Sequence, residues 1–168
     1  MFATPAIAEA QYYYEGAIQK IQSNNGKYKL VCENLLGLVL YEKGGSHFWG
    51  GWKPIWIPVG GTYDDDHLHS SRCIMQNDGN FVVYQHTDER NRYVHDFVYW
   101  ASGTNNNDLI DSQLFLRDDG FLGVKLYYPN HAKTVRLNTY ENNKVGETTL
   151  CLSDNRGVFN NCRMLQDW

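Results

Sequence analysis

Three segments of the chain alternate apolar and polar positions with a period of two. They are Tyr28 to Tyr41 (YKLVCENLLGLVLY), Arg72 to Gln85 (RCIMQNDGNFVVYQ) and Ser112 to Leu126 (SQLFLRDDGFLGVKL). Successive side chains on a strand point to opposite faces, so each segment predicts strands with one core face and one outer face. Asn25-Gly26, Asp78-Gly79 and Asp119-Gly120 supply the turn signals. The spacing is 43 residues from Glu33 to Gln76 and 41 from Gln76 to Arg117, one supersecondary unit per interval. Each unit has a downstream part. Pro54-Ile55-Trp56 followed by Gly60-Gly61-Thr62 closes the first, and Val98 to Thr104 (VYWASGT) closes the second. Thr134 to Thr139 closes the third, with Arg136 where Trp stood. The fold class is therefore all-β. Only Ile7 to Tyr14 suggests a short helix. Lys43 to Lys53, Tyr63 to Ser71 and His86 to His95 read as long loops.

Composition narrows the classes. With 168 residues, the chain is long enough for one packed domain and short for two. The division expected is an N-terminal arm over 1–15, a body over 16–144, and a C-terminal extension over 145–168 that packs on the body. The formal charge is −4 and no Lys/Arg block occurs, so the electrostatic footprint of a nucleic-acid or anionic-membrane binder is missing. No apolar run is long enough to span a membrane. MFATPAIAEAQ is not a complete secretion signal, which leaves a secreted, extracellular location and a cytoplasmic one both open. Cys32, Cys73, Cys151 and Cys162 permit two disulfides in three connectivities. Cys151–Cys162 is the favoured local closure, with Cys32 and Cys73 paired or free.

The candidate chemistry lies in the second unit. Gln76, Asp78, Asn80, Val82 and Tyr84 recur at every second position, which on a strand places all five on one face. Phe81 and Val83 then face the core. The set offers two amides, a carboxylate, a small apolar surface and a phenol. A sugar hydroxyl both donates and accepts. Asp78 accepts through charge-assisted bonds, Asn80 and Gln76 do both, Tyr84 adds a hydroxyl, and Val82 meets C–H groups. Such a set separates epimers, because a misplaced hydroxyl leaves a buried polar partner unpaired.

MQNDGNFVVY matches the QxDxNxVxY signature of the bulb-type, monocot mannose-binding lectins at all five positions, and SNNGKYKLV and VYWASGT resemble phrases of that family. The resemblance covers roughly residues 16 to 140. It implies a β-prism of three four-stranded antiparallel sheets with pseudo-threefold symmetry, able to carry one site per sheet. By resemblance, Asp78 and Asn80 would hold the axial 2-hydroxyl of mannose, Gln76 the 3-hydroxyl and Tyr84 the 4-hydroxyl, with Val82 against the ring carbons. It implies a non-catalytic lectin for mannose-containing glycans with no cofactor and no metal, and a homodimer is expected because one shallow site needs avidity. The first unit departs from the motif, with Glu33, Leu35, Gly37, Val39 and Tyr41, and so does the third, with Arg117, Asp119, Phe121, Gly123 and Lys125. Neither is expected to bind mannose.

Other signals are weaker. Asp64-Asp65-Asp66-His67-Leu68-His69 reads as a solvated acidic loop ahead of a metal site. Trp56 suits the centre of the fold, whereas Phe48, Trp49 and Trp52 suggest an aromatic surface in a Gly-rich loop. Tyr12, Tyr13 and Tyr14 suggest strand packing. No GxSxG, HExxH or phosphate-cradling Gly loop occurs. Two further expectations stand beside the lectin: a toxin or antimicrobial protein acting through its loops and tail, and an interaction or storage protein whose sugar motif is vestigial.

Overall fold

The computed structural model describes residues 11–13, 16–33, 37–44, 51–58, 68–88, 94–139, 149–153 and 159–164. The alternating segments fold as antiparallel strands, and no helix occurs among the described residues. Three strands come first: β1 (Gln11–Tyr13), β2 (Gly16–Ile18) and β3 (Lys20–Gln22). The first unit holds β4 (Tyr28–Glu33), β5 (Gly37–Lys43) and β6 (Trp52–Trp56). The second holds β7 (Leu68–Met75), β8 (Phe81–Asp88) and β9 (Val94–Ala101), and the third β10 (Asp111–Leu116), β11 (Leu122–Tyr127) and β12 (Ala132–Arg136). β13 (Thr149–Ser153) and β14 (Phe159–Met164) form a separate two-stranded sheet.

The three units make three antiparallel sheets, ordered β3-β4-β5-β6, β2-β7-β8-β9 and β1-β10-β11-β12. The consecutive strands β1, β2 and β3 thus each join a different sheet. Residues 11–13, inside the segment expected to be helical, are instead a strand: Tyr12 pairs with Phe115 and Tyr13 with Leu114. The open edge of β10 supplies ladder partners that outweigh a weak local preference. The strands also run further than the sequence suggests. Leu68 to Ser71 belong to β7, and Trp52 and Lys53 to β6, so the loops around them are shorter than expected.

One face of each four-stranded sheet turns to a common core. Leu30, Leu38, Leu40 and Trp56 come from the first sheet, Met75, Phe81 and Val83 from the second, and Leu114, Leu116, Leu122, Val124 and Leu126 from the third. Trp56 meets Trp100 edge-on at 5.8 Å between centroids, and Phe81 meets Trp100 at 6.3 Å. Trp56 therefore sits centrally, as the sequence suggests. Trp52 does not stand in a loop: it opens β6, half-buried beneath the Lys29 ammonium, 4.4 Å from its ring. Phe48, Trp49 and Asp64 to His67 lie outside the described residues.

Two long-range ties hold the units together. Cys32 on β4 and Cys73 on β7 form a disulfide with a Cα–Cα distance of 5.9 Å. Cys151 and Cys162 stand opposite each other in the β13–β14 register. The Asn25 turn meets the third unit, its backbone N–H donating to Asp118 Oδ1 at 2.8 Å and its side-chain amide to Asp118 O at 3.0 Å.

Candidate functional site

The five motif residues do not lie along one strand. β7 ends at Met75 and β8 begins at Phe81, so Gln76 to Asn80 form the hairpin between them. The Gln76 N–H donates to Asn80 O at 2.9 Å, and the Gly79 N–H donates to Gln76 O at 3.1 Å. These bonds define a three-residue loop whose last residue, Gly79, takes φ = 90°. Period-two spacing survives across this turn because the two flanking residues pair and keep the same facing. Gln76 opposes Asn80, Ile74 opposes Val82, and Arg72 opposes Tyr84.

The Asp-Gly pair builds the loop. Asp78 Oδ1 accepts from the Asn80 N–H at 2.9 Å, a side-chain bond that closes the turn. Gly79 is buried and crowded: a Cβ there would lie 2.3 Å from Leu109 Cδ1 and 3.1 Å from Thr104 O. Only glycine meets both the positive φ and the close approach.

The turn is braced from behind by residues the motif does not contain. Asn80 Oδ1 accepts from the Gly103 N–H at 2.9 Å and from Ser102 Oγ at 3.2 Å. Ser102 Oγ also accepts from the Phe81 N–H at 2.9 Å and lies 2.7 Å from Thr104 Oγ1, so its single proton is shared between Thr104 Oγ1 and Asn80 Oδ1. Thr104 Oγ1 donates to Gly79 O at 2.5 Å, Ser112 Oγ donates to Gln76 O at 3.2 Å, and the Asn106 N–H donates to Asp78 O at 2.9 Å. Sequence reasoning assigned no role to Ser102, Gly103 or Thr104. Their signal was the Ser-Gly-Thr that follows Trp100 in the closing phrase of the unit.

This bracing decides what each side chain presents. With its oxygen held by two donors, Asn80 turns its NH₂ outward as a donor. Asp78 is exposed and keeps one carboxylate oxygen without a partner among the described residues. Gln76 Nε2 donates to the Tyr84 hydroxyl at 2.6 Å, which leaves the Gln76 carbonyl and the Tyr84 proton for a further partner. Val82 is only 2% exposed, so the open apolar surface expected of it is instead a floor flanked in register by Ile74 and Ala101. Beside the turn is a depression of about 440 Å³ lined by Gly16, Ile74, Met75, Gln76, Asn77 and Asp78. It shares Gln76 and Asp78 with the motif and lies on the β2 side of the hairpin.

The matching places in the other sheets differ. In the first, Tyr41 donates to Glu33 Oε1, Val39 is fully buried, and Tyr41 is 3% exposed. Burial raises the Glu33 carboxyl and the Tyr41 hydroxyl above their usual values, and burial lowers the Lys29 ammonium, which lies 5.2 Å from the Tyr41 ring centroid. The outer face of this sheet is thus filled by its own side chains. Leu35 lies outside the described residues. In the third, Arg117 Nη2 pairs with Asp119 Oδ2 at 2.7 Å, and the Phe121 ring stacks on Phe115.

Among the described residues no group of three His, Cys, Asp or Glu side chains is arranged to hold a metal ion, and no helix is long and apolar enough to cross a membrane. The chain matches no protein-family model, no curated protein and no solved structure.

Proposed function

We propose that the protein is a non-catalytic lectin that binds mannose or mannose-rich glycans at Gln76, Asp78, Asn80, Val82 and Tyr84. The observation that carries this reading is the convergence of these groups at one braced hairpin. An exposed carboxylate, an amide committed as a donor, and a bonded Gln76–Tyr84 pair surround an apolar floor. That is a donor–acceptor set for neighbouring hydroxyls, and its rigidity keeps the ordering cost of binding low.

The same reading makes the three sheets a β-prism with pseudo-threefold symmetry. In support, the third unit repeats the turn bonds of the second: the Arg117 N–H donates to Phe121 O, and the Gly120 N–H donates to Arg117 O. The filled outer face of the first sheet, and on the third the Arg117–Asp119 ion pair with Phe121 in place of the second amide, support a single mannose site. A single shallow site binds one sugar weakly, so a homodimer or clustered glycans supply the avidity. The Cys32–Cys73 disulfide supports an oxidising, extracellular location.

Calorimetric titration with methyl α-mannoside, using the galactoside as control, tests the reading on the wild type and on Asp78→Ala. Saturable mannoside binding is expected, with a loss of at least about tenfold in the variant, the scale of one charge-assisted hydrogen bond. Absence of wild-type binding, or a variant that binds equally well, overturns it.

A further inference from the structure

The outer face of the third sheet repeats the hairpin of the second with a different set of side chains. Arg117 stands where Gln76 does, and Lys125 where Tyr84 does. Gly123 replaces Val82, and its partner on β12 is Arg136, where Val82 pairs with Ala101. The hydroxyl-reading groups are thereby exchanged for three cations.

These cations are organised around aromatic rings. Arg117 Cζ lies 5.0 Å and Arg136 Cζ 4.9 Å from the same Phe121 centroid, and Lys125 Nζ lies 5.3 Å from the Tyr127 centroid. Phe121 stacks on the nearly buried Phe115 with an interplanar angle of 11°, and a Cβ on Gly123 would lie 2.8 Å from Phe121 and 2.9 Å from Phe115. Glycine at 123 therefore lets the rings settle onto the sheet as a platform for both guanidinium groups. Arg136 is also gripped from one side. Its Nε donates to Asn138 O at 3.2 Å and to Asn138 Oδ1 at 3.1 Å, while Asn138 is itself tied to the Leu122 N–H and to Gly120 O. Its two Nη groups have no partner among the described residues. Among the described residues this face sets against three cations Asp119, which Arg117 engages, and at its far end Asp111, opposite Tyr127. The surplus is positive on a chain whose net charge is −4.

We propose that this face binds the oxyanion of an acidic saccharide, a hexose bearing a carboxylate or a sulfate. A guanidinium held by its Nε presents its Nη edge to such an oxyanion, and Arg117 and Lys125 add charge. Thr134, paired with Lys125, stands beside it in register with a hydroxyl for the sugar. Three cations match one or two oxyanions and fall short of the larger polybasic cluster that an anionic bilayer needs.

The test uses the full chain and its Asp78→Ala variant, so that the neutral-sugar site cannot answer for this one. Methyl β-glucuronide, glucose 6-sulfate, methyl β-glucoside and inorganic sulfate are titrated at low salt and followed by backbone amide shifts. One or both acidic sugars should shift Phe121, Gly123 and Arg136 saturably, and the neutral glucoside should not. Arg136→Gln and, separately, Lys125→Gln should each weaken that binding at least fivefold with unchanged melting temperatures. The two acidic sugars distinguish the carboxylate from the sulfate source. Equal binding of the neutral glucoside, equal binding of inorganic sulfate, or unaltered affinity in both variants overturns the proposal. So does binding confined to phosphatidylserine vesicles.

Discussion

Gly79→Ala is the most demanding single substitution for the hairpin that carries Asp78. At φ = 90° an alanine is strained by about 1–2 kcal/mol. Its Cβ would lie 2.3 Å from Leu109 Cδ1, 3.0 Å from Leu126 Cδ2 and 3.1 Å from the Thr104 carbonyl oxygen. Leu109 is half-buried and can rotate, but Leu126 is buried and the Thr104 contact is backbone, so overpacking adds about 1–3 kcal/mol. The reduced freedom of the unfolded chain returns about 0.4–1 kcal/mol. A net loss of about 2–4 kcal/mol is expected. Gly103→Ala is the matched control: its φ is 69° and nothing lies within 4 Å of its Cβ, so it should cost about 1 kcal/mol or less. Urea unfolding followed by tryptophan fluorescence measures both, provided the m-values agree. The turn also positions Asp78, so mannoside affinity should fall further in Gly79→Ala than in Gly103→Ala. Equal stability of the two variants within about 0.5 kcal/mol would show that the crowding at Gly79 does not hold the turn, and the reasoning would fail.

Three further outcomes follow from the same contacts. Replacing Cys32 and Cys73 together by alanine releases a closure spanning 41 residues, which should lower unfolding stability by about 4 kcal/mol in denaturant titration; a loss under about 1 kcal/mol would contradict the loop-closure argument. Burial raises the Glu33 carboxyl and outweighs the opposing pull of the Tyr41 hydroxyl and Lys29. Its favourable contribution is therefore complete below the ordinary value of 4.5 and is lost as pH climbs through the raised one, so Glu33→Gln should gain stability relative to the wild type between pH 4 and pH 7; a pH-independent difference would rule this out. Ser102→Ala removes the acceptor for the Phe81 N–H and one donor to Asn80 Oδ1, and should cost about 1–3 kcal/mol and weaken mannoside binding. An unchanged melting curve and affinity would mean that Ser102 does not brace the site.

Much of this protein is local, and what is local was legible in the sequence. Alternation in YKLVCENLLGLVLY, RCIMQNDGNFVVYQ and SQLFLRDDGFLGVKL specified the strands and their core faces, because side-chain direction on a strand depends only on odd or even position. Asp78-Gly79 and Asp119-Gly120 specified turns, because a carboxylate that closes onto a nearby N–H and a residue tolerant of positive φ act within a few positions. The single-strand reading of the motif failed at Asp78, which lies in the turn, while Gln76, Asn80, Val82 and Tyr84 keep a common facing because a hairpin preserves it across paired residues.

What the tertiary structure decided depends on groups far apart in the chain. Residues 11–13 became a strand because β10 offered them an edge. Cys32 met Cys73 because their strands lie in adjoining walls of one core, a closeness that no cysteine spacing encodes. Ser102, Gly103 and Thr104 came to hold Asn80 and Gly79 across a separation of more than twenty residues, so the commitment of Asn80 as a donor is a property of packing. Arg117 and Arg136, scattered in a sequence without a basic run, gather on one phenyl ring because paired strands bring Arg136 opposite Gly123, beside the Phe121 turn. Local alternation tells each side chain which way to point; which distant groups it then meets is settled by strand register and by the burial of a shared core.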